Sequence, residues 1–178
     1  MVEREVDNHR AGLPARIIAK MNQVEDTELA LALVRASRAG VPIDLIVRGF
    51  CCLRPGVIGW TENIRVRSII GRFLEHSRIF HFANGQADPL DGEFYIGSAD
   101  WMFRNLSRRV EATTPVDDRT ARRQLWEVLE TALADSRQAW DLGPDGGYVQ
   151  RRPADDAQGP AAMGTHSWLM DLARRRAG

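Results

Sequence analysis

The sequence predicts an α/β fold in which helices flank a mixed sheet that opens with a right-handed βαβ unit. Two compact apolar runs, 16–21 (RIIAKM) and 43–47 (IDLIV), have the length and composition of buried strands. The segment between them carries apolar residues at helical spacing, so the two strands pair in parallel through a right-handed crossover. Further short strand-like segments and a long amphipathic helix at 117–140 follow.

Turn and capping residues delimit the first elements. Residues 2–11 predict a short helix that Gly12 ends. Asp26 or Thr27 caps the helix of the βαβ unit, and Gly40 stops it. The apolar stripe of that helix comprises Leu29, Ala30, Leu33, Val34 and Ala36.

The middle of the chain predicts a loop and then strands. Residues 48–63 contain three glycines and a proline and form a long loop after the second strand. Open α/β sheets usually bind ligands at such carboxyl ends of strands. Strand-like segments follow at 64–71, 76–82, 93–99 and 109–116.

The composition changes near residue 142. The helix predicted at 117–140 has one apolar face, formed by Ala121, Leu125, Val128, Leu129, Ala132, Leu133 and Trp140. Residues 143–164 are rich in Gly, Pro, Asp and Ala and predict a mobile segment before a short helix at 166–176. We therefore expect a domain at 1–142, followed by the mobile segment and C-terminal helix at 143–178.

The bulk composition excludes several classes of protein. A chain of 178 residues and 20.0 kDa forms one domain by length. Zero net charge argues against a nucleic-acid partner, and no apolar run reaches the ~20 residues of a membrane span. The N-terminus shows no secretory signal, and adjacent Cys51 and Cys52 cannot form a disulfide framework. A cytoplasmic location fits best.

Arginine is the dominant cation of this chain. Of the 24 basic residues, 23 are Arg and Lys20 is the single lysine, a bias that codon usage explains. Residues 48–109 hold nine Arg against six acidic residues. Because guanidinium groups match phosphate oxygens, this excess indicates a phosphate-bearing ligand, with solvated ion pairs as the simpler alternative.

Four residues are candidates for binding or chemistry. Arg48 ends the second strand, where a phosphate-binding guanidinium is well placed. His76 and Arg78 share one face of a predicted strand, so both can meet one ligand. Ser98 lies in a Gly-Ser turn that can offer a hydroxyl and N–H groups to an anion. Each feature alone is more typical of an ordinary structural or surface residue, and no metal site is predicted.

The remaining histidines and cysteines carry weaker expectations. His9 and His166 lie in predicted surface helices and are expected to face solvent. His81 is on the opposite face from Arg78 and is expected to be structural. Neither cysteine has a histidine at a helpful spacing, so we expect them to serve packing or loop shape.

Long blocks of the sequence resemble the last domain of bacterial polyphosphate kinase. They are PARIIAKMN (14–22), IDLIVRGFCCLRPGV (43–57), ENIRVRSIIGRFLEHSRIFHF (62–82) and YIGSADWMFRNLSRRVE (95–111), and the resemblance spans about residues 1–150. The same region is similar to half of a phospholipase D-type site. That superfamily uses H-x-K and G-S-x-N, whereas this chain has Arg78 for Lys and Asp100 for Asn.

The resemblance implies a phospholipase D-like fold and a kinase activity. Polyphosphate kinase reversibly transfers the terminal phosphate of ATP to polyphosphate through a phosphohistidine, with magnesium. In this family the phosphorylated histidine belongs to the preceding domain, which would also hold most of the magnesium contacts. The last domain contributes an Arg and a His to the nucleotide phosphates, and these correspond to Arg48 and His76. His76 is thus expected to support catalysis without being the nucleophile, with Arg78 and Ser98 as weaker candidates.

The domain with the nucleophilic histidine is absent from this sequence, so we expect half a site that is inactive alone. Expected partners are ATP or ADP, polyphosphate and the remaining kinase domains, with a homo-oligomer and membrane association of a full-length enzyme left open. Apolar residues of the 48–63 loop are candidates for an exposed domain interface. Two alternatives stay open: a non-catalytic module that binds polyphosphate or a partner, and a dimeric phosphodiesterase, against which Arg78 argues.

Overall fold

The computed structural model describes residues 1–178 and contains one mixed eight-stranded sheet. The helices are α1 (Val2–Arg10), α2 (Thr27–Arg38), α3 (Phe103–Arg108), α4 (Arg119–Ala134), α5 (Gly159–Met163) and α6 (Thr165–Ala177). The strands are β1 (Ile17–Met21), β2 (Ile43–Val47), β3 (Ile64–Ile69), β4 (Ile79–Phe82), β5 (Glu93–Gly97), β6 (Thr113–Pro115), β7 (Ala139–Leu142) and β8 (Tyr148–Gln150). No helix combines the length and apolar character needed to cross a bilayer.

The strand order is β6-β5-β4-β1-β2-β3-β7-β8. β1, β2 and β3 pair in parallel, and every other neighbouring pair is antiparallel. Consequently β1, β2, β3 and β5 all end at one edge of the sheet, and β4 begins there. This arrangement confirms the predicted mixed sheet and its opening β1-α2-β2 unit.

Helices cover both faces of the central strands, which explains why all five residues of β1 and of β2 are buried. Odd-numbered residues of β1, such as Ile17 and Ala19, pack in the core that includes Leu33 of α2. Ile18 faces the opposite way and packs in a second core that includes Leu129 of α4. Because side chains alternate along a strand, the even-numbered residues of β1 and β2 point toward α4.

The helix predicted at 117–140 is wrong in its last six residues. The helix ends at Ala134, where the buried carboxylate of Asp135 accepts the backbone N–H groups of Arg137 (2.7 Å) and Gln138 (2.8 Å) and turns the chain. Trp140 therefore lies on β7 and pairs with Ser68 of β3 instead of lining a helix.

Two other segments differ from the sequence-based expectation. β4 begins at Ile79, so His76 and Arg78 lie just before the strand and not within it, which removes the argument that they share a strand face. The segment at 143–164 contains β8, which pairs with β7, and the short helix α5. Its predicted mobility and the domain division at 142 stay predictions.

Candidate functional site

The candidate site lies at the edge where the parallel strands end. Lys20 is the fourth residue of β1, Arg48 directly follows β2, and residues 75–78 lead into β4. Lys20 pairs with Ile46 on one side and with Ile79 on the other. The topology therefore brings Arg48 and the segment around His76 to the same place, although 27 residues separate Arg48 from Glu75.

Arg48 ties the end of β2 to the segment before β4. Its Nη1 donates a hydrogen bond to the carbonyl oxygen of Glu75 at 2.8 Å. Its own carbonyl accepts a hydrogen bond from the hydroxyl of Ser68 at 2.9 Å. A guanidinium has five N–H donors, and the bond to Glu75 occupies only one of them. The half-buried Arg48 is thus held in place with donors left for a ligand.

His76 is exposed at the rim of this site. Its carbonyl oxygen accepts a hydrogen bond from Nη1 of Arg78 at 2.9 Å, and its preceding residue is the one that Arg48 contacts. Arginine side chains therefore hold the backbone of His76 and of the residue before it, while His76 itself is exposed. The bond from Arg48 to Glu75 brings the guanidinium to the residue that precedes His76, and the joint role of Arg48 and His76 in binding phosphate stays a prediction.

Arg78 is already neutralised. Its Nε and Nη2 donate to the two oxygens of Asp100 at 3.2 and 3.0 Å, and the backbone N–H of Asn22 donates to the same carboxylate at 2.7 Å. Burial raises the pKa of Asp100, but the hydrogen bonds from Arg78 and Asn22 outweigh it and hold this pKa below its ordinary value. Arg78 therefore braces the site and is less free than Arg48 to meet an anion.

Ser98 is committed to the turn that follows β5. Its hydroxyl donates to the carboxylate of Glu111 and accepts the backbone N–H of Ala112 at 3.1 Å. Gly97 permits this close approach, since a Cβ there would lie 2.6 Å from the carbonyl oxygen of Ala112. These contacts give Ser98 a structural role.

Lys20 is a residue of this site that sequence reasoning missed. Its ammonium forms an ion pair with the carboxylate of Glu75 and donates to the hydroxyl of Ser77 at 3.0 Å. Burial, and then the nearby charges of Arg48 and Arg78, lower the pKa of Lys20 to about 8. The available signal was a lone lysine inside an apolar run of an arginine-rich chain.

A cleft of about 690 Å³ opens between this edge, α4 and α6, a volume typical of small-molecule sites. Its polar end is formed by Lys20, Glu75, Ser77, Arg78 and Ser98. Its apolar wall includes Ile79, Ile96, Leu125, Val128 and Leu169.

The helix α6 completes the wall of the cleft. The carboxylate of Asp135 accepts both the backbone N–H and the hydroxyl of Thr165, at 2.6 and 2.7 Å, which attaches α6 to the end of α4. His166 is buried, and its Nδ1 accepts the backbone N–H of Phe73 at 3.2 Å. The expectation that His166 faces solvent is therefore wrong, because α6 packs against residues 70–73.

The other histidines and the cysteines singled out from the sequence do not line the cleft. His81 is buried between Phe94 and Trp126, as expected of a structural histidine. His9 is exposed. Burial raises the pKa of Cys51 to about 11, which favours the unreactive thiol, and the N–H of Cys52 donates to the carbonyl of Val24.

The residues of the cleft do not fit a resident metal ion. No three His, Cys, Asp or Glu side chains are grouped as ligands. Asp100 is occupied by Arg78, and Glu75 by Lys20.

Comparison with known proteins identifies related chains. Residues 1–161 match the family model described as polyphosphate kinase C-terminal domain 2. The polyphosphate kinase of Thermosynechococcus vestitus is 61% identical over 170 residues, which are 96% of this chain and 22% of that protein. The chain thus spans about a fifth of the length of such relatives.

Two solved structures resemble this fold. The crystal structure of polyphosphate kinase from Porphyromonas gingivalis superposes with a TM-score of 0.87 and 37% identity, covering 99% of this chain and 26% of that one. Nuc from Salmonella typhimurium, a phospholipase D family member, superposes with a TM-score of 0.53 and 14% identity over 80% of this chain and 88% of its own. The latter likeness concerns the fold alone and confirms the predicted phospholipase D-like architecture.

Proposed function

Because the chain belongs to the polyphosphate kinase family, as its C-terminal domain 2, we propose that it supplies phosphate-binding residues for reversible transfer of the terminal phosphate of ATP to polyphosphate. The observation that supports this proposal is the contact between Arg48 and the backbone of Glu75, the residue that precedes His76. The substrates, the other domains of the enzyme and a cytoplasmic location are parts of the proposal.

Arg48 and His76 have distinct roles in this proposal. Phosphoryl transfer depends mainly on positioning and on stabilising charge at the phosphate oxygens. The free N–H groups of Arg48 donate to oxygens of the transferring phosphoryl group. The imidazole of His76 donates a hydrogen bond to, or exchanges a proton with, a phosphate oxygen. Another part of the enzyme provides the histidine that becomes phosphorylated.

Magnesium accompanies the nucleotide in this scheme. When bound with ATP, it neutralises part of the phosphate charge and orients the chain of phosphates. Residues of this chain then meet the phosphate oxygens that remain accessible to Arg48 and His76. The product of the forward reaction is ADP.

Calorimetric titration of magnesium-ATP into the chain tests the proposal. We expect the affinity to fall about tenfold in Arg48→Ala, because a charge-assisted hydrogen bond is lost, and to fall also in His76→Ala. Arg10→Ala is the matched control, since Arg10 lies on the remote helix α1. Unchanged affinity in Arg48→Ala, or steady synthesis of polyphosphate by the chain alone, would contradict the half-site.

A non-catalytic binding module is the second candidate, and the exposure of His76 favours it. A ring that faces solvent without an orienting partner need not contribute to affinity. A module of this kind binds polyphosphate through Arg48 and tolerates loss of His76. Equal polyphosphate affinity of the parent and His76→Ala, with loss in Arg48→Ala, would select this alternative.

A further inference from the structure

We propose that Lys20 is a further phosphate-binding cation of this site, and that its ammonium is paired with the carboxylate of Glu75 until phosphate oxygens replace that carboxylate. This inference rests on the proposed function. It adds a ligand contact from β1, a strand that supplies neither Arg48 nor His76. It also means that Glu75 must release Lys20 before the ligand binds.

Strand geometry places Lys20 beside Arg48. In the parallel pair of β1 and β2, Lys20 lies opposite Ile46, two residues before Arg48. Arg48 directly follows β2, and it borders the same small cavity as Lys20 and Ile46. Lys20 lines both the large cleft with Arg78 and the smaller cavity that Arg48 borders. A phosphate chain that crosses between these spaces passes its ammonium.

The anionic partners of the two buried cations differ in how firmly they are held. Asp100 accepts hydrogen bonds from Arg78 and from both the backbone and the side chain of Asn22, so it is fixed. Beyond Lys20, the Glu75 carboxylate accepts only the N–H of Ser77, at 3.1 Å. The side chain of Glu75 is 32% exposed, whereas that of Lys20 is 9% exposed. Glu75 can therefore rotate into solvent while Lys20 stays.

The exchange is chemically balanced. A phosphate oxygen accepts the same charge-assisted hydrogen bond from the ammonium that the carboxylate accepted. No bond is made or broken covalently, and Glu75 regains its hydration outside the cleft. The bound phosphate charge also offsets the repulsion that Lys20 experiences from Arg48 and Arg78.

The single lysine makes this contact directly observable. In the full chain grown with ¹³C-lysine, one side-chain NMR signal reports the titration of Lys20. The groups facing this ammonium are Glu75, Arg48, Arg78 and His166. With inorganic tripolyphosphate bound, we expect the titration midpoint to rise from about 8 by about one unit, since tripolyphosphate brings more negative charge to the ammonium than the single carboxylate that it replaces.

Calorimetry with tripolyphosphate provides the matched variants. We expect Lys20→Met to weaken binding about tenfold and Glu75→Gln to strengthen it, with the gain from Glu75→Gln lost when Lys20→Met is also present. Arg48→Ala reports on the proposed function separately.

Three outcomes would overturn the inference. If Arg48→Ala loses affinity while Lys20→Met binds as the parent does, Lys20 is not a ligand contact, although the proposed function stands. A Glu75→Gln gain that persists without Lys20 would mean that Glu75 acts by general repulsion. If the parent shows neither heat nor a shifted Lys20 signal with tripolyphosphate, the inference and the proposed function fail together.

Discussion

The carboxylate of Asp100 and the guanidinium of Arg78 form a bidentate ion pair, and their side chains are only 10% and 12% exposed. The pair connects the segment before β4 to the segment after β5, and Asn22 joins it from the end of β1. The pair and Asn22 thus connect three strands at the edge of the sheet that carries the candidate site.

Replacing Asp100 with Ala should destabilise the fold strongly. The change leaves the guanidinium of Arg78 buried without its counter-ion, which costs about 3 kcal/mol of unfolding free energy. Urea denaturation measures this loss. Asp171→Ala is the control, because Asp171 pairs with Arg175 on the exposed surface of α6 and its loss should cost less than about 1 kcal/mol. Equal effects of the two substitutions would show that the buried pair contributes no special stability.

The stability of the chain should fall on mild acidification because of His81. Burial lowers the pKa of this imidazole from 6.5 to about 4, and its Nε2 donates to the carbonyl oxygen of Pro89 at 3.0 Å. Below pH 6.5 the unfolded chain binds a proton that the folded chain does not. The contribution of neutral His81 is therefore complete above pH 6.5 and is lost as pH falls toward 4.

Urea denaturation of the parent and His81→Gln at pH 7 and pH 5 checks this expectation. Glutamine keeps an N–H for the carbonyl of Pro89 but cannot titrate. Between these pH values the parent should lose about 2 kcal/mol more than the variant. His166, whose pKa burial also lowers, is present in both proteins and cancels in the comparison. Parallel losses would refute the assignment to His81.

Glu5 should anchor the N-terminal helix. Its fully buried carboxylate accepts the backbone N–H groups of Arg16 at 3.0 Å and Asn84 at 2.7 Å. Glu5→Ala leaves both donors without a partner and should cost about 3 kcal/mol of unfolding free energy. The exposed neighbour Glu3 offers the control Glu3→Ala, expected to cost less than about 1 kcal/mol. A mild effect at Glu5 would mean that water replaces its carboxylate.

Asp135→Ala should release α6 while the sheet stays folded. The variant loses four hydrogen bonds to one carboxylate, two of which attach Thr165. Amide hydrogen exchange should then accelerate at least tenfold across α6 and remain unchanged in β1. Asp145→Ala removes one hydrogen bond in the exposed turn between β7 and β8 and should leave α6 protected. Uniform acceleration would indicate a general loss of stability instead.

The elements with strong local signals were predictable. Periodicity and capping located α2, whose first turn is capped by Asp26 through the N–H of Leu29 at 2.9 Å. Compact apolar runs located β1 and β2, whose residues are all buried. The helix α4 was expected to continue to Trp140, because apolar spacing runs through its end and the turn depends on Asp135, whose partners include distant Thr165.

The site was only partly predictable for the same reason. Arg48 was placed correctly because the end of a buried strand is visible in the sequence. Burial of His166 arises from the packing of α6 on residues 70–73, which no local pattern encodes. Lys20 lies in an apolar run, which predicts only that it belongs to a buried strand. Its part in the site could not be predicted, because it depends on the pairing with Glu75, 55 residues away in the chain.

The match to the family model ends at residue 161, before Thr165 and Leu169, which both line the cleft. A recombinant protein that ends at residue 161 would retain Arg48 and His76 but would lose the part of the cleft wall that α6 forms. The charged end of the cleft thus lies within the matched residues, whereas part of its apolar wall lies beyond them. Selectivity for the non-phosphate part of a ligand is a property to seek in this last helix.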